Sequence, residues 1–117
     1  MAEATLYYNP NCSKCRGARE LLEARDLDLT IVEYLDVSVD RDTLITIIES
    51  SDSMPAEFIR TGETAWKDSG LALSHTPTVA EVADLIVQCP GAMQRPIFVV
   101  GGKAVIARPP DRALELL

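Results

Sequence analysis

Two cysteines, Cys12 and Cys15, lie three positions apart in the stretch NPNCSKCRGARELL, where turn-prone residues give way to a helical pattern. A cysteine in the first turn of a helix faces unpaired backbone N–H groups, and these groups and the helix dipole favour the thiolate. The same N–H groups form a ready site for an anion. We therefore expect a nucleophilic Cys12 beside an oxyanion, with Asn11, Ser13 and the amides that follow Cys12 as donors.

Cys15 follows Cys12 by about one helical turn and should lie on the same side of the helix. From there it could attack a bond made at Cys12 and release it as an intramolecular disulfide. Two other interpretations are inert core thiols and half of a zinc site. Zinc would need two further ligands, and only His75 and Cys89 remain, at no recognisable spacing. The pattern therefore favours redox or nucleophilic chemistry, with no metal.

The composition limits what kind of protein this is. The chain has 117 residues and a formal net charge of -7, which predicts one domain over residues 1–117. Nonspecific binding to nucleic acid or to an anionic membrane surface is disfavoured, although a local basic pocket is allowed. No apolar run approaches the ~20 residues of a membrane span, and no secretory signal is visible. These features predict a protein of the reducing cytoplasm.

The hydrophobic pattern predicts the elements that position the cysteines. Strands are expected over residues 4–8, 29–35, 96–100 and 103–107, and helices from residue 13, after the cap Asp40, and over residues 54–60, 64–70, 78–87 and 111–117. The order is β-α-β-α, a helical insertion at about residues 50–90, and β-β-α. A parallel first crossover and a closing hairpin then predict an α/β, thioredoxin-like fold with a mixed four-stranded sheet.

The motif NPNCSKCRGARELL resembles the arsenate reductase family of the glutathione- and glutaredoxin-coupled type. The resemblance continues through TIVEYLDVSVDRDTLITII, EFIRTGETAWKDSGL and QRPIFVVGGKAVIARPPDRALELL, and so covers nearly the whole chain in order. It implies that Cys12 attacks the arsenic of arsenate. It also implies that Arg60, Arg95 and Arg108 hold the oxyanion, and that Pro96 is the cis proline of thioredoxin-like folds. Guanidinium suits both tasks, because it offers forked donors to an oxyanion and favours a neighbouring thiolate.

The reaction implied by this resemblance proceeds in stages. The Cys12 thiolate displaces hydroxide from arsenate, glutathione attacks the adduct, and arsenic is reduced to the trivalent state. Glutaredoxin then frees the enzyme. Glutathione is a co-substrate in this scheme, and no bound cofactor is needed.

Two positions depart from the family pattern. Well-known members have a histidine just before N-P-x-C, where this chain has Tyr8, which either donates a hydrogen bond or simply packs. Cys15 makes a C-x-x-C that also resembles the Spx-type regulators, which bind RNA polymerase, through its α subunit, and use the cysteine pair as a redox switch. A third possibility is a thiol-disulfide oxidoreductase whose own couple is Cys12 and Cys15.

Overall fold

A mixed four-stranded sheet forms the centre of the computed structural model, which describes residues 2–117. The strands are β1 (Ala2–Tyr8), β2 (Leu27–Glu33), β3 (Ile97–Val100) and β4 (Lys103–Ile106), in the spatial order β2-β1-β3-β4. Strands β1 and β2 are parallel, whereas β3 is antiparallel to both β1 and β4. The predicted α/β, thioredoxin-like architecture is confirmed.

The helices occupy the predicted regions of the chain. They are α1 (Ser13–Glu23), α2 (Arg41–Glu49), α3 (Thr64–Ser69) and α4 (Val79–Gln88), with 3-10 segments at Pro55–Phe58, Pro90–Ala92 and Pro110–Leu116. In the described chain, the segment between α2 and β3 contains helices and 3-10 turns and no β-strand of the sheet, as predicted for the insertion. Within residues 2–117, no helix is long and apolar enough to cross a bilayer.

Side-chain oxygens cap two of these helices at the positions that the sequence indicates. The carboxylate of Asp40 accepts from the N–H of Thr43 at 2.8 Å, and the hydroxyl of Thr78 accepts from the N–H of Glu81 at 3.1 Å. Each bond satisfies a donor in the first helical turn that has no partner within the helix. The predicted starts of α2 and α4 are therefore confirmed.

Three predicted elements were wrong in type or position, and β1 begins two residues before its predicted start. The helix expected over residues 54–60 is only a 3-10 turn, because Phe58 and Arg60 instead bond to a neighbouring segment: the N–H of Arg60 donates to the carbonyl of Ala92 at 2.7 Å. The last helix is likewise a 3-10 segment. Strand β2 is two residues earlier than expected, because it pairs in register with β1 and ends in a turn at Glu33.

The strands alternate their side chains between two cores, as a sheet covered on both faces requires. On one face, Leu6 and Phe98 pack with Cys15 and Leu22 of α1 and with the C-terminal 3-10 segment. On the other face, α2 and α4 and the insertion cover the sheet. The buried side chains of α1 pack on the first face, and this packing holds the helix in place against the sheet.

We expect Leu22→Ala to lower the free energy of unfolding by ~2–5 kcal/mol, because it leaves a cavity under α1. Leu22 is 0% exposed, whereas its neighbour Leu21 is 36% exposed and provides a matched control. Urea unfolding followed by the fluorescence of Trp66, the single tryptophan, measures both variants. An equal effect of Leu22→Ala and Leu21→Ala would contradict this account of the core.

Candidate active site

Cys12 occupies the N-cap of α1, at the end of the turn that leaves β1. Its backbone is extended, with φ -103° and ψ 120°. Its N–H donates to the carbonyl of Asn9 at 3.0 Å, and its own carbonyl accepts from the N–H of Arg16 at 3.1 Å. The side chain is half-buried. The sulfur thus sits at the helix start that the sequence predicts, with access to solvent.

The turn before Cys12 is held by a buried asparagine. The side-chain oxygen of Asn9, which is 9% exposed, accepts from the N–H of Asn11 at 3.0 Å. This bond uses the backbone donor of Asn11, while the side chains of Asn11 and Ser13 are exposed at the rim. Their role as donors to an anion stays a prediction.

The pKa of the Cys12 thiol reflects opposing influences. Partial burial raises this pKa, but the backbone N–H groups of Cys15 and Lys14 and the Cys15 thiol stabilise the thiolate. The guanidinium of Arg95 lowers the pKa further. The result is a fall from the ordinary 9.0 to about 7. Cys12 is therefore substantially ionised at neutral pH.

Cys15 has the opposite character. It is 0% exposed on the inner face of α1, and burial raises the pKa of its thiol to about 12. The N–H of Asn9 works against this rise, and the neighbouring Cys12 adds to it. Cys15 therefore remains a neutral thiol, able to donate its proton toward the Cys12 sulfur.

Two arginines approach Cys12 from the other end of the chain. Nη1 of Arg108 lies 3.9 Å from the Cys12 sulfur and donates to the carbonyl of Arg95 at 3.0 Å. The Arg95-Pro96 and Arg108-Pro109 peptide bonds are both cis, which agrees with the expectation for Pro96. The fold thus brings Cys12, Arg95 and Arg108 together across the sheet.

The guanidinium of Arg95 has spare donor capacity. Its side chain is only 12% exposed, and its Nε is buried without a hydrogen-bond partner among residues 2–117. An unsatisfied buried N–H of a charged group is costly. A thiolate or a bound oxyanion would satisfy it.

Arg60 joins this cluster indirectly. Its Nη1 lies 2.8 Å from Oε1 of Glu63, and Nη2 of Arg95 lies 3.2 Å from the same oxygen. None of the hydrogen bonds or ion pairs of Arg60 in the described chain reaches Cys12. Glu63 is not among the site residues that the sequence predicts. The spacing of Glu63 from Arg60 suggests a local ion pair, but nothing local indicates the contact with Arg95.

Two tyrosines flank the site with different roles. The ring of Tyr8, at the position of the family histidine, is buried in the core, and Cζ of Arg19 lies 5.3 Å from its centroid. Tyr8 therefore packs. Tyr34, which sequence reasoning also missed, is 3% exposed, and its hydroxyl has no hydrogen-bond partner in the described chain. Burial raises the pKa of Tyr34, while the nearby charge of Arg95 opposes the rise.

The remaining candidate ligands lie apart from Cys12. Cys89 is buried in the core on the other face of the sheet, with its sulfur 3.5 Å from the carbonyl oxygen of Ala65. His75 is exposed. Among residues 2–117, all three cysteines are free, and no three cysteine, histidine or acidic side chains are grouped as metal ligands.

A cysteine thiol at the start of the helix that follows β1, beside a sheet of this topology, is typical of thioredoxin-like thiol proteins. A model of the ArsC family matches residues 7–116, and the chain belongs to that family. The predicted family resemblance is confirmed.

Individual relatives match over almost their full length. The chain is 34% identical to a protein of Escherichia coli K12 described as uncharacterized protein YfgD, with 98% of this chain and 97% of that protein covered. It is 33% identical to an arsenate reductase of Neisseria meningitidis serogroup A, with 93% of each covered. The solved structure of an arsenate reductase from Vibrio cholerae superposes with a TM-score of 0.87 at 26% identity, with 99% of this chain and 98% of that chain covered.

Proposed function

We propose that this protein is an arsenate reductase in which the Cys12 thiolate attacks arsenate and the arginines hold the oxyanion. The observation that carries the proposal is the convergence of positive groups on one ionisable sulfur. The pKa of Cys12 is about 7, and Nη1 of Arg108 lies 3.9 Å from its sulfur. The buried Nε–H of Arg95 has no hydrogen-bond acceptor in the described chain and is free to donate to an oxyanion. Family membership supports the choice of arsenate as the substrate.

The first step forms a bond between the Cys12 sulfur and arsenic, and hydroxide leaves the arsenic. The N–H groups of the first turn of α1 stabilise the attacking thiolate. Arg95 and Arg108 offset the negative charges of thiolate and oxyanion, which would otherwise repel each other. This local positive charge allows an acidic protein to bind an anion.

The second step uses glutathione as the reductant. Its thiolate attacks the Cys12 sulfur, and the sulfur–arsenic bond breaks with its electron pair on arsenic. Arsenic then leaves in the trivalent state as arsenite, and the two sulfurs are oxidised to a mixed disulfide on Cys12. Glutaredoxin reduces that disulfide by thiol–disulfide exchange and restores the thiolate.

A second candidate is a thiol-disulfide oxidoreductase that uses Cys12 and Cys15 as its own couple. The neutral Cys15 thiol lies near the Cys12 sulfur and helps to lower the pKa of Cys12, which supports this alternative. Attack by Cys15 on a mixed disulfide at Cys12 would release the bound thiol and leave an intramolecular disulfide. Such a protein would turn over without glutathione.

A coupled assay distinguishes the two functions. The protein is incubated with arsenate, glutathione and glutaredoxin, and arsenite is quantified by chromatography with elemental detection. We expect arsenite formation that depends on both glutathione and glutaredoxin. Reduction of a protein disulfide such as insulin, with no arsenite formed, would favour the oxidoreductase. The absence of both activities would contradict both candidates.

A further inference from the structure

We propose that Glu63 is a specificity-determining residue, which sets the number of negative charges that the pocket beside Cys12 prefers on its oxyanion. The inference rests on the proposed oxyanion site and adds to it a residue that contacts neither Cys12 nor, in this scheme, the substrate. Glu63 acts through its contacts with Arg60 and Arg95.

The side chain of Glu63 does not have the partners expected for the residue that precedes a helix. It is the N-cap of α3, yet its side chain makes no capping hydrogen bond to the described backbone. Instead, one oxygen, Oε1, accepts from Nη1 of Arg60 at 2.8 Å and from Nη2 of Arg95 at 3.2 Å. Helix stability therefore does not explain the direction of this carboxylate.

Partial burial strengthens the effect of the Glu63 carboxylate on the neighbouring arginines. The side chains of Glu63 and Arg60 are about one quarter exposed and that of Arg95 is 12% exposed, so water screens their charges only partly. Glu63 occupies one edge of the Arg95 guanidinium and leaves the buried Nε for another acceptor. A single carboxylate thus both orients Arg95 and cancels part of its charge.

The summed charge of the groups around Cys12 predicts which anion charge the pocket prefers. Among the groups that are not exposed, the three guanidinium groups, the Glu63 carboxylate and the Cys12 thiolate leave one net positive charge, which suits a singly charged oxyanion. Lys14 and Arg16 are exposed, so water and salt screen their charges more strongly. The nearby Cys15 and Tyr34 are neutral at pH 7, because burial raises the pKa of each. Removing the charge of Glu63 leaves two net positive charges, which suits a doubly charged anion.

Glu63→Gln tests this inference, because the amide oxygen can still accept from an arginine while the charge is lost. Two tetrahedral probes are compared, sulfate with two charges and perchlorate with one, by the protection each gives Cys12 against alkylation by iodoacetamide. We expect Glu63→Gln to bind sulfate about three- to tenfold more tightly, with a smaller change for perchlorate. The pH midpoint of Cys12 alkylation should also fall.

Asp68→Asn is the matched control, because it removes the same charge from an exposed position on α3. It should leave both anion affinities and the alkylation midpoint as in the unmodified protein. If the wild type binds sulfate and Glu63→Gln binds it with the same affinity, the role of Glu63 is overturned. The same holds if Glu63→Gln loses affinity for sulfate and perchlorate equally. Failure of wild type to bind either anion would instead overturn the oxyanion pocket, and the proposed function with it.

Discussion

Replacing Cys12 with serine is expected to lower kcat/KM for arsenate at least about a thousandfold, because the reaction begins with attack by this sulfur. A serine hydroxyl is not ionised at neutral pH, and the N–H groups of α1 and the arginines cannot make it a comparable nucleophile. Cys12 is half-buried at a helix start, so the substitution should leave the fold intact. Arsenite formation with glutathione and glutaredoxin measures the effect, and circular dichroism verifies the fold.

Cys89→Ala is the control for this substitution. Cys89 is a buried thiol in the core on the opposite face of the sheet from Cys12, and we expect its variant to retain arsenite formation. Should Cys12→Ser keep an appreciable share of the activity, another residue would have to be the nucleophile. Should both variants lose activity equally, the loss would reflect a damaged fold.

Replacing Arg95 with lysine is expected to reduce kcat/KM by about a hundred- to a thousandfold, although the positive charge is retained. Arg95 uses one edge of its guanidinium for Glu63 and has a further buried donor available at Nε. Lysine is a point charge without that fork and cannot keep both contacts. The pKa of Cys12 should rise as well, since Arg95 contributes to its lowering.

Arg41→Lys provides the comparison for Arg95→Lys. Arg41 lies on α2, and its side chain is 49% exposed and paired with Asp84, so its variant should turn over arsenate at the wild-type rate. Steady-state kinetics with varied arsenate would separate kcat from KM. An Arg95→Lys enzyme within a factor of about three of wild type would show that charge alone suffices.

The fold and the position of Cys12 at a helix start could be predicted because both depend on local signals. Alternation of apolar residues marks the strands, and a helix begins where Asn9, Pro10 and Asn11 end the first strand. A cysteine at that junction must face the free N–H groups of the helix. The thiolate character of Cys12 follows from this position, with Arg95 adding to it.

The polar contacts around Arg95 could not be predicted, because they depend on tertiary structure. Arg95 and Glu63 are 32 positions apart and meet only when the insertion folds over the sheet. Tyr34 lies close enough to Arg95 to feel its charge, and it follows directly after β2, which ends two residues earlier than its hydrophobic pattern indicates. The extended backbone at Ile59 likewise accompanies its pairing with Met93, a contact without a local signal.

The pH dependence of Cys12 alkylation by iodoacetamide tests the central claim most directly, with the modified residue identified by peptide mass mapping. Cys15 and Cys89 are buried and should react slowly. We expect the rate at Cys12 to rise about tenfold per pH unit at low pH. It should level off above a midpoint of about 7, because the folded protein lowers the pKa of this thiol from 9.0. A midpoint near 9.0 would contradict the account, since the helix N–H groups and Arg95 would then do no more than offset the effect of burial on the sulfur.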